Sequence, residues 1–206
     1  MRVSWRVALA LISLGAALTV AVLGVLFAGA TVGTGVDEWA RSTLLGAGSP
    51  WHQLALAVDF TAEPVGGALT IGLLVLACLV TGHRRGAVLA IVGTGGSIAV
   101  TTALKPLVGR EINGGFLAFP SGHTATATAL ALVAMLVFTR GRASTAVITA
   151  VVTVAAGAAM AWSQVLLNAH YATDTLGGFA TALAVVPATA LTVDHLADRR
   201  ARARQA

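Results

Sequence analysis

Pro120, Ser121, Gly122 and His123 break an apolar stretch of chain and set a titratable imidazole at the start of a hydrophobic run. Free backbone N–H groups at a helix N-terminus, together with the positive end of the helix dipole, attract anions such as phosphate. An imidazole that titrates near neutral pH adds a proton donor or acceptor there. A loop followed by a plain helix start would look the same, so the reading depends on what else reaches this spot. Lys105 ends the preceding apolar run, where a charged side chain is costly unless it snorkels to the interface or meets a partner. Arg110 follows in the glycine-containing connection, residues 109–120, that leads to His123. His170 and Asp174 are spaced i to i+4, which on a helix puts both on one face, and a carboxylate beside an imidazole fixes its tautomer and raises its basicity. Two histidines and an aspartate are also ordinary zinc ligands. The cations Lys105 and Arg110 disfavour a second cation and favour an anion, so phosphate is expected and a metal is not.

Membrane helices must position these groups. Of the 206 residues, 57% are hydrophobic and 10% charged, against about 25% charged in a soluble domain. The expected fold is all-α, an integral membrane bundle of six transmembrane helices over residues 7–30, 65–79, 87–107, 123–138, 145–166 and 173–193. Crossing a hydrocarbon core of about 30 Å takes roughly 20 helical residues. Backbone groups in lipid must be satisfied internally, and without strict alternation the spans read as helices rather than barrel strands. The first span follows a basic N-terminus and ends in Ala28, Gly29 and Ala30, as a cleaved signal does. Its apolar region exceeds the roughly 7 to 15 residues of a signal core, so a retained anchor is expected. The single cysteine, Cys78, excludes a disulfide within the monomer.

The net charge of +5 is unevenly distributed. In a six-span layout Arg2, Arg6, Arg84, Arg85, Arg140, Arg142, Arg199, Arg200, Arg202 and Arg204 fall on one side, and Arg41, Lys105 and Arg110 on the other. Cytoplasmic loops retain positive charge, so both termini are expected in the cytoplasm. The basic cytoplasmic tail, residues 194–206, reads as a topology signal beside anionic lipid rather than a nucleic-acid site. The opposite, outward side collects Asp37, Glu38, His52, Asp59, Glu63, Glu111, His123, His170 and Asp174, with Trp39, Trp51 and Trp162 near headgroup depth. A transporter is disfavoured, because no inverted repeat is detectable and the polar groups gather at one face rather than at the midplane.

At these residues the chain resembles the phosphatidic acid phosphatase type 2 superfamily, membrane lipid phosphatases related to vanadium-dependent haloperoxidases. That family carries Lys-x6-Arg-Pro, Pro-Ser-Gly-His and Ser-Arg-x5-His-x3-Asp. The second is intact as Pro120-Ser121-Gly122-His123, the third matches at Ser163, His170 and Asp174, and the first at Lys105. Where the family has its Arg-Pro and its second arginine, this chain has Ile112-Asn113 and Gln164. The resemblance covers nearly the whole chain and implies one membrane domain over residues 1–206.

It further implies a cell-membrane phosphatase, needing no cofactor, that hydrolyses a lipid phosphate or polyprenyl pyrophosphate at the outer face. His170 would form a phosphohistidine, Asp174 would orient it, and His123 would protonate the leaving oxygen. Lys105, Ser121, Gly122 and Gln164 would hold the phosphoryl group, with Arg110 compensating for the missing arginines. Without both arginines the alternative is a weak or inactive relative that binds lipid phosphates or serves as a membrane scaffold. The small-residue run Gly93, Gly95 and Gly96 permits close packing within or between chains, which leaves the oligomeric state open.

Overall fold

The protein is described from a computed structural model covering residues 3–139 and 145–203. Arg2, Arg140, Arg142 and Arg204, counted above as cytoplasmic, lie outside the described residues. The elements in chain order are α1 (Val3–Leu26), α2 (Gly35–Leu44), α3 (Trp51–Phe60), α4 (Pro64–Val80), α5 (Arg84–Val108), β1 (Glu111–Ile112), β2 (Phe116–Leu117), α6 (Gly122–Phe138), α7 (Ala146–Leu166) and α8 (Ala172–Ala203).

Each of the six expected spans falls on a helix, within a few residues at most ends, but α4 and α6 have only 17 residues each. The N-terminal span ends earlier, at Leu26, where Gly29 adopts a positive φ of 68°. The last runs ten residues further, so the basic segment continues α8 to Ala203. By length and composition α1, α5, α7 and α8 can each cross a membrane, and α3 with α4, bent by 62°, makes a fifth candidate. α6 is apolar but only 17 residues long. It packs between α5, α7 and α8, and its Ala125, Ala129, Leu132 and Val133 are buried. Leu89 and Ala90 of α5 and Ala182 and Val186 of α8 complete that core.

The peripheral helices turn apolar faces outward: Leu11, Leu14 and Leu18 on α1, Leu69 and Leu73 on α4, and Val147, Val151 and Val154 on α7 are exposed. So much contiguous apolar surface would be a liability in water and suits lipid. Several hydroxyl side chains inside the spans bond to their own helix, as Ser97 Oγ to Gly93 O (2.8 Å) and Thr181 Oγ1 to Gly177 O (2.8 Å) do, and Ser13 Oγ reaches across to Ala184 O of α8 (2.6 Å). No acceptor is then needed from lipid.

Helix direction sorts the charges. Arg6 pairs with Asp198 (2.6 Å) and Arg85 approaches Asp194 (3.8 Å), tying the starts of α1 and α5 to the end of α8. The other end of the bundle carries α2, α3 and the β1–β2 hairpin, and there the candidate residues gather.

Candidate active site

The connection from α5 to α6 is a folded hairpin. Gly109, at φ 63°, ends α5 in the left-handed conformation, and its N–H donates to Lys105 O (2.9 Å). Asn113 (φ 52°), Gly114 (φ 78°) and Gly115 (φ 125°), all at positive φ, form the three-residue turn of the hairpin. Ala118 N–H then donates to Arg110 O (2.8 Å), and the chain re-enters the bundle on buried Phe119, whose ring meets Phe27 edge-on. Ser121 caps α6: its Oγ accepts from Thr124 N–H at 3.3 Å. Its own N–H donates to Asp174 O (3.0 Å), joining the first turns of α6 and α8. Gly178 permits this approach, because a Cβ there would overlap the Ser121 carbonyl.

Asp174 serves two ends at once. Oδ2 accepts from Tyr171 N–H (2.9 Å), an acidic side chain in the first turn of α8 reaching back to cap the helix start. Oδ1 accepts from Arg110 Nη1 at 2.6 Å. The same guanidinium donates to Thr173 Oγ1 (2.7 Å) and, through Nη2, to Asp37 Oδ2 (2.8 Å). Phe27 and Tyr171 lie 4.0 and 4.6 Å from its carbon. Arg110, Asp37 and Asp174 are all fully buried. Burial pushes the Asp37 carboxyl up, but hydrogen bonds from Thr34 and Thr173 outweigh it and leave the group below the ordinary carboxylate range. The sequence reading turns Arg110 toward phosphate. In the structure its two terminal nitrogens are held by carboxylates behind His170, because two buried acids offer a guanidinium more than an open cleft does.

His170 sits in the short connection between α7 and α8, formed by Ala169 and His170 N–H groups donating to Gln164 O (2.9 and 3.3 Å). Its Nδ1 lies 3.8 Å from Asp174 Oδ2, within ion-pair reach but longer than a hydrogen bond. Burial pushes the imidazole below its ordinary value near 6.5; Asp174 opposes this, and the nearby charges of Lys105 and His123 reinforce it. Lys105 and His123 both act on the charge of His170. Lys105, Gly122 and His123 line a common cavity of about 560 Å³ between α4, α5 and α6, whose other walls include Ala62, Pro64, Ala68, Ile71 and Ile98. The Gly122 and His123 N–H groups belong to the first turn of α6, where no intrahelical acceptor exists.

The remaining candidates are placed differently. Ser121 is buried as the α6 cap, its Oγ 3.1 Å from Thr124 Oγ1, and does not line the cavity. Gln164 Nε2 donates to Asp59 Oδ1 (2.6 Å). Ile112 is buried with Ala118 and Tyr171. Two hydrogen bonds join Asn113 and Asn168: Asn113 Nδ2 donates to the main-chain O of Asn168 (2.6 Å) and Asn168 Nδ2 to Asn113 Oδ1 (3.1 Å).

Asp37, Asp59, Glu63 and Thr173 are the contributors to which sequence reasoning gave no role. Asp59 and Glu63 approach His123 Nε2 at 3.5 and 3.3 Å. One signal was available: Thr34-x-x-Asp37 is a capping-box pattern, and in the structure it starts α2.

Comparison with known proteins gives a family and a fold. The family model of the PAP2 superfamily matches residues 86–197, which contain Lys105, His123, His170 and Asp174. Among curated proteins none matches. The chain is similar in structure to a transmembrane PAP2-type phosphatidylglycerolphosphate phosphatase from Bacillus subtilis, with a TM-score of 0.67 and 18% identity over 91% of this chain and 96% of that one.

Proposed function

The chain belongs to the PAP2 superfamily, and from that premise we propose that it is a multi-pass membrane phosphatase acting on a lipid phosphate or polyprenyl pyrophosphate. The observation that carries the proposal is the arrangement around one cavity. Lys105 and the first turn of α6 offer positive charge and free N–H groups and His123 offers a proton, while His170, buried and not among the cavity's lining residues, feels the charges of both and has Asp174 3.8 Å from its Nδ1. The cavity's apolar walls on α4 and α5 suit a headgroup whose tails stay in the bilayer.

In the reaction His170 Nε2 attacks phosphorus. Asp174 lies 3.8 Å from Nδ1, and closing that gap to a hydrogen bond in the reacting complex puts the proton on Nδ1 and leaves Nε2 its lone pair. The P–N bond forms as the bond to the leaving oxygen breaks, and His123 gives that oxygen its proton. Water then attacks the phosphohistidine, returns a proton to His123 and releases phosphate. Lys105 and the α6 N–H groups stabilise the charge spread over the phosphoryl oxygens. Arg110 acts at one remove, fixing Asp174 from behind. With the basic ends of α1, α5 and α8 in the cytoplasm, the site faces outward.

The test is phosphate release by the purified protein from phosphatidate, phosphatidylglycerol phosphate and a polyprenyl pyrophosphate. Release from at least one, reduced to background in His170→Ala, supports the proposal. Equal release by wild type and His170→Ala overturns it, and no release from any leaves the lipid-phosphate-binding relative as the better reading.

A further inference from the structure

An acid shares the cavity with Lys105 and His123. Glu63, at the break between α3 and α4, lines the same cavity, and its carboxylate makes no capping bond to α4. Its Oε1 lies 3.3 Å from His123 Nε2, and Asp59 Oδ1 lies 3.5 Å from the same nitrogen. Gln164 Nε2 donates to that Asp59 oxygen (2.6 Å), so the residue standing where the family has an arginine fixes a carboxylate and adds no positive charge. Both terminal nitrogens of Arg110 are held by Asp37 and Asp174. Among the described residues, Lys105 and His123 are therefore the basic groups that line the cavity, and two acids face one of them.

The acids stand where the leaving group must go. His123 gives the leaving oxygen its proton, and Nε2, which faces both carboxylates, is the nitrogen with a reason to carry it. A phosphomonoester expels an alcohol there. Its oxygen takes the electron pair of the broken P–O bond and the proton of His123, and the neutral hydroxyl can donate to Glu63. A pyrophosphate expels a lipid phosphate, a weak base that departs as an anion and brings negative charge against Glu63 and Asp59. We propose that Glu63, with Asp59, makes the site selective for lipid phosphomonoesters over lipid pyrophosphates. Glu63, half exposed, yields Nε2 to the leaving oxygen and stays beside it. An anhydride is intrinsically easier to cleave than an alkyl phosphate, so a preference for the monoester has to come from the protein. This selectivity rests on the phosphatase reading and narrows it to one substrate class.

The test presents one prenyl chain to the purified full-length protein as monophosphate and as diphosphate, farnesyl phosphate and farnesyl diphosphate, so that only the leaving group differs. In wild type kcat/KM is expected to be about tenfold higher for the monophosphate, and Glu63→Gln should shrink that ratio about fivefold. Asp59→Asn should move it the same way by less. A wild-type preference for the diphosphate, or a ratio unchanged in Glu63→Gln, overturns the selectivity. If Glu63→Gln fails to fold, the wild-type ratio and its change in Asp59→Asn decide in the same sense. If neither lipid is hydrolysed, calorimetric titration with the same two lipids decides instead: monophosphate bound about tenfold more tightly, with the difference lost in the variants, supports the selectivity, and equal binding overturns it. Absence of release from phosphatidate as well counts against the phosphatase reading alone, because binding is read independently.

Discussion

Replacing Arg110 by alanine separates two roles for the same residue. Its guanidinium makes ion pairs of 2.6 and 2.8 Å with Asp174 and Asp37, and all three side chains are shielded completely from solvent. Arg110→Ala would strand two carboxylates where water cannot reach them. Removing one partner of a buried pair costs about 3–5 kcal/mol, most of it the penalty of the unpaired charge. At roughly 2–4 °C per kcal/mol for a chain of this size, the midpoint of thermal unfolding falls by about 6–20 °C. The four tryptophans provide a fluorescence signal for that transition in detergent. Adding Asp37→Asn removes one stranded charge, so the double variant should be more stable than Arg110→Ala alone. Phosphate release by the folded fraction should fall mainly in kcat, because Asp174 loses the group that fixes it. A midpoint lowered by less than about 2 °C, with KM raised tenfold and kcat unchanged, would refute this reasoning and return Arg110 to gripping phosphate.

Two further outcomes follow from the same geometry. Burial disfavours the protonated imidazole of His170, and Lys105 and His123 push the same way against Asp174, so the attacking neutral form persists to lower pH than in free imidazole. The acidic limb of kcat/KM assigned to His170 is therefore expected below 6.5, and a limb above that value contradicts the assignment. Restoring the two family arginines should have unequal effects. Ile112→Arg forces a charge into the contact with Ala118 and Tyr171 and should cost several kcal/mol. Gln164→Arg faces Asp59, gains a carboxylate partner and should leave the unfolding midpoint nearly unchanged while lowering KM. Thermal unfolding and Michaelis kinetics on both variants check this, and the reverse ranking would count against the arrangement.

The long elements were legible because a bilayer imposes a simple rule. Long apolar runs become helices, and the helices observed agree closely with the runs at residues 65–79, 87–107, 123–138 and 145–166. The meeting of Lys105, His123 and His170 at one end followed from counting spans, since alternating helices return the chain to the same face. Residues 31–63 were not legible in the same way. There α2 and α3 are ten residues each, too short for a hydropathy signal, and their importance lies in single buried acids. Asp37 reads as an ordinary exposed acid until Thr173 and Arg110 close on it, a contact made only in three dimensions. The partners of Arg110 were hidden for the same reason. Its residue type announced a phosphate ligand, but nothing local revealed the two carboxylates that would claim it first. Ser121 was read for its hydroxyl, whereas the hydroxyl caps α6 and the backbone around it does the joining.

The central claim is that His170 carries the phosphoryl group, and trapping that intermediate tests it most directly. Wild-type protein mixed with a cleaved lipid phosphate and quenched in alkali, where phosphohistidine survives, should show one phosphoryl adduct on the peptide containing His170 by mass spectrometry. The adduct should vanish on acid treatment and be absent from His170→Ala. Phosphate release without any adduct on His170, undiminished in His170→Ala, would contradict the account.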